Sequence, residues 1–343
     1  MDSEVLEKTK IMIDKFDFND ILIKPATISS IGSRKDVNPF YNGIFLPLIT
    51  APMDTVINSK NRAYYSALNI LTCLPRGEKN PMGFESYSLE EITQLYLNNE
   101  LRNDGMYLID IANGHMERLL NRVKGIKTRY PKLILMVGNV ANPETYVELS
   151  LAGADYVRIG IGNGGGCSTT VHTGVGFPMG SLIRETYLAS TTLDKPAKIV
   201  ADGGMQNYSD IIKALALGAD FVMVGSLFNK AIESCGDNYL FKRIKISPSI
   251  AKLAYTMDIP VYKKFRGMST KEVQKKWGKT NLTSSEGVVR IRKVEYTLEQ
   301  WVDNFHDYLR SAMSYSNAKT LGDFVGNAEI IKITNNAYNR YKK

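Results

Sequence analysis

Leu151-Ala152-Gly153-Ala154-Asp155-Tyr156-Val157-Arg158-Ile159-Gly160 is echoed, 65 residues further on, by Ala216-Leu217-Gly218-Ala219-Asp220-Phe221-Val222-Met223-Val224-Gly225. Each copy reads as a helix end, a glycine terminator, a tight turn and a buried strand that stops at glycine. Glycine suits the terminator because helices commonly finish on a left-handed residue that a Cβ would strain. An offset of 65 residues holds two βα units of about 33 residues each, the spacing of a TIM barrel of about 250 residues. Outward from this repeat, the strand candidates are Ile44–Thr50, Ile70–Leu74, Met106–Ile111, Leu133–Val140, Tyr156–Ile161, Ile199–Ala201, Phe221–Gly225 and Val261–Phe265. Several are continuously apolar, as parallel strands buried on both faces must be. Between them, Asn142-Pro143 supplies an N-cap followed by proline at the first helical position. The expectation is an α/β chain folded as a (β/α)8 TIM barrel, with an open doubly wound sheet as the alternative.

The barrel is expected to be a single catalytic domain spanning 1–343, with no inserted regulatory domain. A hydrophobic fraction of 44% supports a large core and argues against disorder. No apolar run is long enough for a membrane span. Met1-Asp2-Ser3-Glu4 is acidic where a secretory leader carries positive charge, so a cytoplasmic protein is expected. Three cysteines without paired spacing build neither a disulfide framework nor a CxxC metal site. The net charge of +8 suits an anionic small substrate; the basic residues are dispersed, which reads as a solvated surface and not as a nucleic-acid face. Two stretches break the βα rhythm. Residues 229–260 read as a long connection between the seventh and eighth strands, and residues 269–292, polar and lysine-rich, read as a mobile active-site flap after strand 8.

Chemistry concentrates in Gly160-Ile161-Gly162-Asn163-Gly164-Gly165-Gly166-Cys167-Ser168-Thr169-Thr170, directly after the fifth strand candidate. Such a loop brings backbone groups close to a ligand or ion, since no Cβ blocks the approach. A cysteine there is either a nucleophile with a stabilised thiolate or an ordinary buried cysteine. Asp202-Gly203-Gly204, Gly225-Ser226 and Gly267-Met268-Ser269 follow successive strand candidates. Glycine turns that feed helix N-termini offer N–H groups to a phosphate, and three at one end of a barrel form a phosphate site.

These segments, together with Phe18–Pro25, Ala51–Val56, Asp110-Ile111-Ala112-Asn113-Gly114-His115, Gly138-Asn139-Val140 and Thr173–Pro178, give the chain a resemblance to the IMP dehydrogenase / GMP reductase family over nearly its full length. The resemblance implies a nicotinamide-dependent enzyme acting on a purine nucleoside monophosphate. Cys167 matches the nucleophile that adds to purine C2, and Thr169 the threonine that works with a flap glutamate, here Glu286, in proton transfer. Asp202 matches the residue that binds the ribose hydroxyls. Met53, Gly203, Gly204, Gly225, Ser226, Gly267, Met268 and Ser269 match the remaining nucleotide-binding positions. Asp110, Asn113 and Gly114 match a segment beside the nicotinamide, and Ser33 and Arg34 a dinucleotide contact made in a neighbouring subunit. Carbonyls of Gly162, Gly164 and Cys167 match a site for potassium or a similar monovalent cation, and the family implies a homotetramer.

Within the family the sequence leans to the reductase branch, which uses NADPH or NADH to deaminate GMP reductively to IMP and ammonia. Only a modest loop, Pro75–Ser88, stands where dehydrogenases carry a regulatory insertion, and Ser269–Glu286 holds neither arginine nor tyrosine for activating water. A dehydrogenase without the regulatory domain, a reductase acting on a modified or deoxy purine nucleotide, a non-catalytic nucleotide sensor and an FMN-dependent barrel are the competing readings. Three departures stand out. Gly165 replaces a serine expected to touch the phosphate, Thr170 stands where reductases usually have arginine, and Pro75-Arg76-Gly77-Glu78 replaces a His-Lys stretch near the cofactor.

Overall fold

Runs that are apolar on both faces need cover on both faces, and the chain provides it by rolling them into a closed cylinder. The computed structural model describes residues 13–276 and 287–341; Met1–Glu4 and Glu286 lie outside them. Eight parallel strands form the barrel: β1 (Leu48–Thr50), β2 (Cys73–Leu74), β3 (Phe84–Tyr87), β4 (Met106–Asp110), β5 (Ile134–Val140), β6 (Tyr156–Ile159), β7 (Lys198–Asp202) and β8 (Phe221–Val224). β1 pairs with β8 in parallel, and the Ile49–Leu71 bridge brings the β2 end of the sheet back to β1. Two backbone bonds hold that junction, Thr50 N–H to Leu71 O (3.0 Å) and Leu71 N–H to Leu48 O (3.2 Å). The architecture is a (β/α)8 TIM barrel.

Strand parity divides the core in two. Ile49, Cys73, Phe84, Leu108, Met136, Val200 and Phe221 fill the barrel interior, while their neighbours in sequence, such as Leu48, Ile109, Val137, Val157 and Val222, pack outward in a second cluster with helix residues. Helices Glu117–Arg129, Pro143–Leu151, Met179–Ser190 and Tyr208–Leu217 follow β4, β5, β6 and β7. Asn142 caps the second of these through Thr145 N–H, with Pro143 at its first position as the sequence foretells.

The eighth barrel strand is not the one the sequence suggests. Val261–Phe265 lies in an antiparallel sheet of β9 (Asn238–Leu240), β10 (Ile244–Ile246), β11 (Val261–Arg266) and β12 (Val289–Lys293), in the order β10-β9-β11-β12. The missing barrel strand is β3, within the stretch read as the loop Pro75–Ser88. Its centre is polar, so it lacks the apolar signature: Glu85 and Ser86 are buried, with Glu85 facing Lys79 and Arg102 and Ser86 donating to Leu74 O. Everything after residue 84 therefore moves up one place. The 229–260 stretch follows β8, and the whole antiparallel sheet is an excursion between β8 and the barrel's last large helix, Leu298–Tyr315. Within 269–292, Lys271–Lys276 is helical and β12 pairs along β11, while residues 277–286, the centre of the expected flap, lie outside the described residues. A two-stranded antiparallel ribbon, Ile21–Ile23 with Ile330–Lys332, ties the two ends of the chain together.

Candidate active site

The corrected numbering places the Cys167 loop after β6, Asp202-Gly203-Gly204 after β7 and Gly225-Ser226 after β8. These C-terminal strand ends are where TIM barrels carry their chemistry, with phosphate sites after strands seven and eight. The loops surround a cavity of about 880 Å³, a size suited to a nucleotide-sized ligand.

The floor of the cavity follows from strand parity. Asp110, Arg158 and Asp202 sit two residues beyond the inward-facing Leu108, Tyr156 and Val200, so they form the next layer up on β4, β6 and β7. Arg158 Nη1 meets Asp110 Oδ1 at 2.7 Å and its Nε meets Asp202 Oδ2 at 3.0 Å. Burial works against the guanidinium charge, but Asp202 and Asp110 outweigh it and hold Arg158 protonated above its ordinary range. The side chain fits because Gly138, opposite it on β5, has no Cβ; one built there would lie 2.5 Å from Arg158 Cβ. Asn139 Nδ2 adds a bond to Asp202 Oδ2 (2.8 Å) and another to Gly160 O (2.7 Å). The bonds to Asp202 thus converge on Oδ2, leaving Oδ1 its acceptor capacity on the cavity wall. At the same end, Arg76 binds the Asp110 carbonyl and approaches its carboxylate (3.6 Å).

The glycines assemble the walls by letting backbone pack on backbone. A Cβ at Gly203 would meet Gly164 N at 2.8 Å, and one at Gly166 would meet Gly267 Cα at 3.2 Å. The Cys167 loop is thereby wedged between the Asp202 and Gly267 loops, with Gly166 O accepting from Val288 N–H and Gly267 N–H donating to Val288 O, both at 3.0 Å. Backbone N–H groups of Gly204 and Ser226, on the cavity wall, donate to nothing among the described residues, as a phosphate cradle requires.

Cys167 Sγ lies 3.1 Å from Thr169 Oγ1, and either atom can donate. The other two cysteines have different surroundings. Cys73 fills the barrel interior and Cys235 donates to Asp54 O, and burial pushes each thiol up to about 12. They are inert at neutral pH; Cys167 is the half-buried thiol that lines the cavity.

Of the residues singled out from sequence, Cys167, Thr169, Asp202, Gly203, Gly204, Gly225, Ser226, Gly267, Met268, Ser269, Met53, Asp110, Gly162 and Gly164 line the one cavity. Asn113 and Gly114 sit just past the strand that carries Asp110, where Asn113 Oδ1 accepts from His115 N–H and Gly114 N–H donates to Asn139 O. Ser33 and Arg34 are exposed, Ser33 capping the short helix Arg34–Asp36. The sequence offers Asn139 and Arg76 only as parts of quoted segments, without a role, and does not single out Arg158, nor Arg290, Arg292 and Lys293 from the antiparallel sheet, as site members. Arg158 had a signal: in the internal repeat it stands against Met223, a lone charge in an otherwise apolar strand.

A family profile described as the IMP dehydrogenase / GMP reductase domain matches residues 98–341. The chain belongs to that family. It is 30% identical to a GMP reductase of Onchocerca volvulus, over 95% of this chain and 93% of that protein. It is likewise 30% identical to GMP reductase 2 of Mus musculus, over 93% of this chain and 94% of that protein. An inosine-5'-monophosphate dehydrogenase of Chlorobaculum parvum is 36% identical, but over 66% of this chain and 44% of that protein. Membership in this family makes the chain a purine nucleotide oxidoreductase.

Proposed function

We propose that this family member is a GMP reductase, converting GMP to IMP and ammonia at the expense of NADPH. The observation that carries the chemistry is the Cys167–Thr169 pair, 3.1 Å apart on a cavity wall shared with Asp202 and the glycine loops. The branch is supported by coverage, since this chain spans 93% to 94% of the reductases and 44% of the dehydrogenase.

In this reading the Gly204 and Ser226 N–H groups take the 5'-phosphate, Asp202 accepts from the ribose hydroxyls, and the purine C2 lies over Cys167. The thiolate adds to C2, the C2–N bond breaks, and the amino group departs as ammonia after gaining protons relayed through Thr169 and Glu286. Splitting the substitution this way replaces one hard step by two easier ones. The nicotinamide, when bound, supplies the hydride that takes the sulfur's place at C2. Asp110, fixed by Arg158 and Arg76 and adjoining Ile111 and Ala112 on the wall, would hold it.

A monovalent cation at the carbonyls of Gly162, Gly164 and Cys167 belongs to the same proposal. Neutral carbonyl oxygens suit a hard ion of low charge, and Gly164 O, which accepts from Cys167 N–H at 2.9 Å, keeps a second lone pair. So does a homotetramer in which Ser33 and Arg34 reach a neighbour's cofactor. The higher identity to the dehydrogenase, 36%, favours IMP oxidation as the second reading. Nicotinamide absorbance decides between them. With GMP and NADPH in one cuvette and IMP and NAD in another, oxidation with ammonia release in the first alone is expected. Reduction in the second alone makes the protein a dehydrogenase.

A further inference from the structure

Gly165 occupies the centre of the wedged loop, between the residue that packs on Gly203 and the residue that packs on Gly267. It is also the position at which the family resemblance places a serine hydroxyl for the phosphate. A side chain from another element reaches the space beside it. A Cβ built on Gly165 would lie 3.4 Å from Arg292 Nη2, and the Arg292 guanidinium covers the Phe265 ring at 4.3 Å from its centroid. Arg292 is half-buried on β12 and lines the cavity with Arg290, two residues away on the same strand face, and with Lys293. Lys230, also on the wall, is neutralised by Glu295 at 3.0 Å. Among the described residues, Arg290, Arg292 and Lys293 enter no ion pair. Burial and the neighbouring charge of Arg290 hold Arg292 below its ordinary range against the opposing pull of Glu295.

We propose that Arg292 is the phosphate-binding side chain of this pocket, its guanidinium replacing the hydroxyl missing at Gly165, with Arg290 and Lys293 adding to the positive field. The ligand class is a phosphomonoester dianion carried on a nucleoside. The inference rests on the nucleotide-site reading above, but it concerns a residue outside the barrel strands and loops. A guanidinium offers two parallel donors to phosphate oxygens, which a hydroxyl cannot. The exchange converts a neutral contact into a charged one and makes discrimination between nucleotide and nucleoside depend on the antiparallel sheet.

The test compares binding of GMP, IMP, guanosine and inorganic phosphate to the wild type, to Arg292→Ala and to the double variant Gly165→Ser/Arg292→Ala. Loss of a charged hydrogen-bonding partner weakens binding by roughly 10- to 100-fold. That loss is expected for the nucleotides with Arg292→Ala, while guanosine affinity stays unchanged and shows that the purine pocket is folded. The double variant should recover part of the nucleotide affinity, since Gly165 does not require a left-handed backbone and a side chain there meets only the end of Arg292. Nucleotide affinity unchanged in Arg292→Ala, or lost equally for nucleotide and nucleoside, overturns the proposal and leaves the proposed function standing. If the wild type binds neither nucleotide, the functional reading fails instead, and inorganic phosphate decides the clamp. Phosphate bound by the wild type and lost in Arg292→Ala supports it; phosphate bound equally, or by neither protein, overturns it.

Discussion

In the barrel, Arg158 is held, largely enclosed, between two carboxylates at 2.7 and 3.0 Å. In the antiparallel sheet, Lys263 is buried more deeply than Arg158, yet its Nζ donates to a carbonyl, Ser234 O. Burial wins there and brings the lysine down to about 8, whereas the aspartates win at Arg158. The supporting cores differ in the same sense. The barrel has a filled interior beneath its charges, while the excursion has a small cluster of Ile232, Ala251, Ala254, Val261 and Val294. Two ways of building a cavity wall meet in one pocket: a scaffold whose charges neutralise each other, and an added sheet whose Arg290, Arg292 and Lys293 enter no ion pair among the described residues.

The largest effect that separates the two walls should come from Cys167→Ala. Removing the proposed nucleophile is expected to cut turnover by at least about 10⁴-fold while GMP still binds, as steady-state assays alongside calorimetry would reveal. Binding without any loss of turnover would move the chemistry off the barrel loop. Next comes Arg158→Met, which takes the paired cation from Asp202 and leaves Asp110 only the longer contact to Arg76. Urea unfolding is expected to show a loss of roughly 3–5 kcal/mol; a neutral result would mean the trio is no better than an apolar layer. The smallest effect concerns Lys263 and is visible only against pH. Its folded value of about 8 lies below the ordinary 10.5, so between those values the unfolded chain holds the proton and the folded chain does not. Stability from this group therefore rises with pH across that window, by roughly 3 kcal/mol in all. The difference in unfolding free energy between wild type and Lys263→Met should shift in favour of the wild type from pH 8 to 10.5. A difference constant with pH would place water or an acid beside Lys263.

What the sequence made legible follows from how each feature is encoded. Continuously apolar strands such as Leu133–Val140 announce themselves, and so does the repeat that sets the βα spacing. β3 does not, because Glu85 and Ser86 are satisfied by Lys79, Arg102 and Leu74 O, partners that only the fold brings near. Val261–Phe265 resembles a barrel strand because apolar residues bracket its lysines; its half-buried alternation belongs to an antiparallel sheet. In the site, glycines were readable because close backbone approach leaves a mark in the sequence. Arg292 was not, since its meaning depends on Gly165, which lies on the far side of a long excursion.

The ribbon between Ile21–Ile23 and Ile330–Lys332 has a consequence in time. During synthesis the first of these strands emerges early, and its partner follows roughly 15 to 60 seconds later at ordinary elongation rates. Through that interval an apolar Ile-Leu-Ile edge has no mate. The residues that follow it are Lys24 and Pro25, a charge and a residue without an amide hydrogen, the pair of features that discourages a bare edge from recruiting another chain. Lys24 then changes task once the strand arrives, its Nζ meeting Glu329 at 2.7 Å: a guard on the nascent chain becomes a latch on the finished one.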